Sequence, residues 1–413
     1  MYYRKFHLTK NIQILLAFIC IILNQSNLAQ SEEVQGDKIF KFQNKLLTNG
    51  IDFSANYVGE YFSNLSGGLQ NNGTYLDNII FSFEFDMNKL AGIEGMSIYL
   101  SGIGINGGIP LENTGALQGI SNIAAVNQFK LFEGWIEQNL FDDNIAILLG
   151  LYNLNSEFDV RESSGIFLNP SFGIGFDFAQ SGQNGPSIFP YTSLALRLKV
   201  GLSETFELIA AMFDGVPGSL ANEKGLHLDL KKDEGALLST ELIFSPGQKE
   251  FGKDYSKFSI GGWYYTSDFE KTSDGTIQNG NYGVYVSAEQ FVYSEKSLPE
   301  QGLAIFGRFG IANSNFNPSN YSFLGGLNYT GLIPGRDEDV LGFAFTSIHL
   351  TDEFRASENL ESNYETILEL TYSFQALNWL RFQPDLQCVF NPVIASSQSD
   401  YAFTAGMRVE IAL

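Results

Sequence analysis

Apolar and polar residues alternate along most of this chain. Ile51, Phe53, Ala55, Tyr57 and Tyr61 interleave with Asp52, Ser54, Asn56 and Glu60; Ile79, Phe81, Phe83 and Phe85 interleave with Asn78, Ser82, Glu84 and Asp86. The same period recurs over Leu194–Val200, Tyr282–Glu289, Leu303–Ile311, Leu368–Phe374, Leu380–Phe390 and Phe403–Leu413. A period of two sends successive side chains to opposite faces, so each segment makes a strand with one apolar and one polar face. Beyond the N-terminus no run approaches the roughly 18 apolar residues of a helical span, so a membrane crossing by this chain uses strands.

Composition removes several classes. Charged residues are 17% and aromatics 14%, too little charge and too much ring for a disordered acidic chain. A formal charge of −22 argues against a nucleic-acid partner, which calls for a basic footprint. Two cysteines in 413 residues exclude a disulfide scaffold and a Cys-rich zinc module.

Arg4, Lys5 and Lys10 precede an apolar run from Ile12 to Leu23, then a polar stretch and Leu28-Ala29-Gln30. This is the form of a secretory signal peptide, expected to be cleaved after Ala29. The loss of three basic residues moves the formal charge from −22 to −25 and leaves Cys388 without a partner cysteine. The expected organisation is a signal over 1–29, a short periplasmic segment over 30–46 and one β-barrel over 47–413.

About sixteen alternating segments follow Ile51, each near the 9–11 residues of a spanning strand. Gly-, Asn- and Ser-rich connections separate them, such as Gly67–Gly73 and Ser181–Pro186. The strand-poor stretches 105–127 and 159–191 are candidates for loops folded into the barrel. A soluble sandwich would also alternate. The last strand, however, runs to the chain end with apolar side chains at alternate positions. Aromatics also cluster at strand ends (Tyr61-Phe62, Tyr264-Tyr265, Phe374, Phe390), as in the girdles of a transmembrane antiparallel β-barrel.

Several motifs in register resemble the OprB family of carbohydrate-selective porins. Leu47-Thr48-Asn49-Gly50-Ile51 with Glu60 and Gly67-Gly68 resembles its opening strand, and Glu133 to Leu140 its aromatic–Glu–Gln segment. The likeness continues through Leu149–Tyr152, Ser156–Phe158 and Phe167–Gly173. It then runs through Tyr364-Glu365, Glu369–Tyr372, Gln383–Gln387, Asn391-Pro392 and Gly406–Arg408. In place of that family's Trp-Gly-Arg-type head stands Phe40–Lys45. The resemblance implies a sixteen-stranded barrel in the outer membrane of a Gram-negative bacterium. It further implies a constriction of Arg, Glu and aromatic residues that passes monosaccharides and similar small neutral solutes.

A sugar pore must replace the water on sugar hydroxyls and offer a flat face to sugar C–H groups, while binding weakly enough to release. Polar-face residues with that chemistry are Glu133, Trp135, Glu137, Arg197, Arg308, Arg381, Asp385 and Arg408. The bland alternative is that these charges pair across the lumen and stiffen it. Acidic blocks at Asp337–Asp339, Asp352-Glu353 and Glu358–Glu361 should disfavour anions. No cofactor or metal is expected. Sugars and outer-membrane lipid are the expected partners, with monomer and homotrimer both open.

Other readings remain. One is a secreted carbohydrate-binding β-sandwich; another is a barrel enzyme using Ser347 and His349, with His349 otherwise a lumen or loop residue. Gly102, Gly104 and Gly107 fit a dinucleotide fingerprint formally, but Gly108 and Pro110 follow where a helix should open. Asp86–Lys89 lacks the downstream Gly and Glu of a calcium loop.

Overall fold

A computed structural model of the chain describes residues 43–218, 231, 233–248, 250–296 and 298–412. The export signal read over 1–29, and most of the segment after it, lie outside the described residues. Residues 43–48 are helical and belong to a unit separate from residues 49–413. Leu47 and Thr48 therefore precede the first strand rather than open it.

The strands are β1 (Ile51–Gly67), β2 (Gly73–Asp86), β3 (Met96–Gly107), β4 (Gln128–Leu140), β5 (Ile145–Tyr152), β6 (Ser193–Gly201), β7 (Phe206–Asp214) and β8 (Ala236–Phe244). They continue as β9 (Ser256–Glu270), β10 (Ile277–Ser294), β11 (Gly302–Ala312), β12 (Ser319–Thr330), β13 (Val340–Leu350), β14 (Tyr364–Leu377), β15 (Leu380–Phe390) and β16 (Tyr401–Ala412). Each pairs with its sequence neighbours, and β1 pairs antiparallel with β16, so the sheet closes into a barrel. Closure leaves no edge strand and satisfies the wall's backbone internally. This overturns the sandwich reading.

The alternation maps onto two faces. Phe343 and Phe345 on β13, Ile305 and Phe309 on β11, and Val284 and Val286 on β10 are exposed outward. Their neighbours Ala344, Thr346, Ala304, Arg308, Tyr285 and Ser287 turn into the lumen and are buried. The long connections 108–127 and 153–192 lie at one end of the barrel, the loop end. The chain enters β1 and leaves β16 at the other, the turn end. In barrels of this kind the longer loops face outside the cell.

The lumen is more aromatic than alternation suggests. Tyr152, Phe158, Phe178, Phe213, Trp263, Tyr265 and Tyr285 form one buried interior cluster. Phe178 of the 153–192 connection stacks on Trp263 of β9, with ring centres 5.3 Å apart and planes 7° apart. Of the expected girdle pairs, Tyr61 and Tyr264 face out, while Phe62 and Tyr265 face in. Gly261 leaves the space Tyr285 fills, since a Cβ there would lie 2.2 Å from the tyrosine Cζ.

His349 is likewise corrected. It lies on the outer face, stacked on Tyr321 at 4.6 Å and edge-on to Tyr364 at 4.9 Å, with Asn320 bonded to its Nδ1 at 2.7 Å. Ser347, on the same face, bonds Thr366 at 2.7 Å, so the two do not form a catalytic pair. Gly102, Gly104 and Gly107 lie within β3, and the single helical turn that follows opens only at Leu111. Asp86 caps the helix Met87–Ala91.

Gly261→Val should destabilise the barrel by about 1–3 kcal/mol by overpacking Tyr285. A lower temperature for loss of the β-sheet circular-dichroism signal would show this. An unchanged temperature would mean the ring has room to move.

Candidate functional site

Two connections fill much of the lumen, and the wall holds them mainly by carboxylates that accept backbone N–H groups. Along the 153–192 connection, Asn153 N donates to Glu133 at 3.0 Å and Asp159 N to Glu241 at 2.8 Å. Glu162 N and Ser163 N both donate to Glu289, at 3.2 and 2.9 Å, and Leu168 N and Asn169 N to Glu369, at 2.6 and 3.0 Å. In the 108–127 connection, Leu117 N and Gln118 N donate to Glu365 at 2.8 and 2.9 Å. A carboxylate facing two successive N–H groups satisfies two donors that a loop cannot satisfy itself.

Ion pairs reinforce the attachment. Arg308 of β11 meets Asp159 at 2.9 Å and also pairs with Asp177, all three side chains being fully buried. Arg161 shares Asp159. Gly175 makes the approach possible, because a Cβ there would lie 2.0 Å from the Arg308 Cζ. Burial pushes the Asp159 carboxyl up, but the Arg308 and Arg161 guanidiniums more than offset it and hold the carboxyl below the ordinary aspartate value. On β16, Arg408 bonds Glu60 of β1 at 2.6 Å, and Glu60 accepts from Ser121 at 2.6 Å.

A different stripe of wall faces the open lumen. On one rung, Asp52 of β1 opposes Glu84 of β2, Glu84 opposes Tyr99 of β3, and Tyr99 opposes Trp135 of β4. Asp52 and Glu84 are exposed, and the Tyr99 and Trp135 rings stack 5.0 Å apart at 18°. Gly150 of β5, at φ 148°, makes way for Trp135; a Cβ there would sit 2.5 Å from the Trp135 Cα. The next rung carries hydroxyls, with Ser54 and Ser82 bonded at 2.6 Å. Beside Trp135, Glu137 pairs with Arg197 of β6, Arg197 meets Glu157 at 2.8 Å, and Lys199 meets Glu157 at 3.1 Å. Glu157, Lys199, Glu207, Tyr255 and Lys257 then line a cavity of about 450 Å³ toward the turn end.

The eight residues expected at a constriction thus separate. Trp135, Glu137 and Arg197 come together on the stripe, with Glu133 one rung away but committed to the Asn153 amide. Arg381 is exposed on β15 and bonds Gln375 at 3.0 Å, apart from the stripe. Arg308 and Arg408 are buried in loop attachment, and Asp385 is buried and bonded to Gln387 at 3.0 Å. Sequence reasoning missed Asp52, Glu84 and Tyr99 as lumen neighbours of Trp135. It also missed Glu241, Glu289, Glu365 and Glu369 as clamps. The available signal for the clamps was a Glu on the polar face of a strand, alone on β8 and β10 and paired at i, i+4 on β14.

These features define a β-barrel porin whose lumen is narrowed by inserted loops. The model of the carbohydrate-selective porin family OprB matches residues 70–413, and the chain belongs to that family. Porin B of Pseudomonas aeruginosa is 25% identical over 412 residues, covering 89% of this chain and 88% of that protein. A high-pH structure of Pseudomonas putida OprB superposes with a TM-score of 0.83 at 21% identity, covering 91% of this chain and 97% of that one. The outer-membrane channel DcaP of Acinetobacter baumannii shares the fold more distantly, with a TM-score of 0.54 at 8% identity over 88% of this chain and 97% of that one. The protein is accordingly a carbohydrate-favouring porin of the Gram-negative outer membrane.

Arg308→Ala should cost about 3–5 kcal/mol, because it leaves Asp159 and Asp177 buried without their shared partner. It should lower the unfolding temperature and raise single-channel conductance as the loop loosens. Acid should act in the same direction. A carboxyl with a lowered folded pKa stabilises above its unfolded pKa, and that stability is lost as pH falls through the folded value. The Asp159 share of the loop attachment should hold from neutral pH down to about pH 4 and fade only below it, with conductance rising there. Recordings across that range check the window.

Proposed function

We propose that small neutral sugars, monosaccharides foremost, diffuse passively along the lumen stripe of β1–β6. One observation carries the reading: a half-buried, stacked aromatic pair, Tyr99 and Trp135, lies between the carboxylates of Asp52 and Glu84 and the Glu137–Arg197 pair. The rings suit the C–H face of a pyranose. The carboxylates and the hydroxyls of Ser54 and Ser82 suit its hydroxyls. Arg381 serves as a further polar contact near the turn end. Asp52, Glu84, Ser54 and Arg381 are exposed, which keeps their contacts weak, as passage requires.

Net acidity favours uncharged over anionic solutes. Among the acidic blocks, Asp352-Glu353 and Glu358–Glu361 lie at the loop end, whereas Asp337–Asp339 lies between β12 and β13 at the turn end. The outward apolar belt meets lipid, and the barrel works as a monomer or as a homotrimer. Residues 1–29 act as the export signal, removed after Ala29.

Trp135→Ala, or Asp52→Asn with Glu84→Gln, should weaken sugar block of the ion current about tenfold by removing roughly 1.4 kcal/mol of contact. Sugar-free conductance should change much less. Planar-bilayer recording with sugar titration measures both. Unchanged block in both variants would remove the stripe from the pathway.

A further inference from the structure

A second cavity lies away from this stripe, at the loop end. It measures about 820 Å³ and is enclosed by the β13–β14 connection (351–363), the β15–β16 connection (391–400) and Leu117 of the first inserted loop. Its floor is apolar, with Leu117, Leu350, Phe354, Leu360 and Val393. Its rim is oxygen-rich, with Glu358, Glu361 and Asp400 beside Asn359, Ser396 and Ser397. No Lys, Arg or His lines it.

The floor is built rather than incidental. One fully buried carboxylate, Glu365, accepts from Leu117 N at 2.8 Å, from Gln118 N at 2.9 Å and from Val393 N at 2.8 Å. It therefore ties two separate loops together under the cavity. Ile394 N donates to Gly115 O at 2.9 Å and joins them again. The cavity thus keeps its shape without a ligand, which lowers the ordering cost of binding.

We propose that this cavity is an outer acceptor site for an uncharged saccharide, which rests there before entering the lumen. The inference uses the carbohydrate-favouring function of the family but assigns a place that the transport stripe does not include. Carboxylate and hydroxyl oxygens without a cation suit sugar hydroxyls and repel phosphorylated or acidic sugars. The apolar floor, with the ring of Phe354, takes the sugar's C–H face. Among the described residues no three carboxylate, His or Cys side chains are placed to hold a metal ion, so the rim is not a cation cage.

The test uses the whole refolded protein in planar bilayers, with glucose added to one side at a time. Ser397→Trp and Ile394→Trp each fill the cavity from an exposed loop position. Each should cut the rate of sugar block from the loop side about fivefold, leaving turn-side block and sugar-free conductance unchanged. Equal loss from both sides, or no loss in a variant that conducts normally, would overturn the acceptor site while leaving the porin function intact. A wild-type channel that glucose never blocks from either side would instead defeat the sugar-pore reading, and the acceptor site with it.

Discussion

A polypeptide loop folded into a barrel must find partners for its own N–H groups. Lost hydrogen bonds there cost as much as they do in any protein interior. In this chain many of those groups bond within the loops, and the donors left over are met by the wall, through glutamates on β4, β8, β10 and β14. Glu289, Glu365 and Glu369 each receive two successive loop amides. Everything else about the lumen depends on that exchange. It fixes where the loops run, and so it fixes which wall remains uncovered.

The uncovered wall is the one we propose that solutes follow. Loop attachment buries Arg308 and Arg408, while Asp52 and Glu84 stay exposed and the Tyr99–Trp135 stack stays half-buried. Identical residue types therefore do opposite work within one lumen. A guanidinium with buried acids as its partners is structural cement. A carboxylate with water as its neighbour is available to a passing solute. Charge pairing also explains why so acidic a chain tolerates a crowded interior. Buried cations sit beside buried acids, and several remaining acids are satisfied by amides instead of cations.

Most of the fold was legible in the sequence, because period two and barrel closure are both consequences of strand geometry. The named segments from Ile51 to Phe403 all lie in strands, and the two strand-poor stretches are the inserted loops. The site was legible in part. Trp135, Glu137 and Arg197 share the lumen face because parity assigns a face, and Arg197 lies buried against Glu137 there. Parity does not say whether a loop covers that face. That is why Arg308 and Asp385 looked like pore residues until the loops were placed. The interior aromatic cluster was hidden for the same reason: Trp263 and Tyr285 sit on the lumen face, where they pack the loop instead of lipid. His349 misled because its outer-face setting depends on Tyr321 and Tyr364, residues from two other strands.

The clamps also join distant parts of the chain. Leu117 and Glu365 are 248 residues apart, Leu168 and Glu369 are 201 apart, and Arg408 and Glu60 are 348 apart. Contacts of such separation wait until nearly the whole chain is available, since long loops must close before any reward. Barrel closure has the same requirement, because β1 pairs with β16. Closing the wall and narrowing the lumen thus draw on the same two ends of the sequence, and neither can be complete without the other.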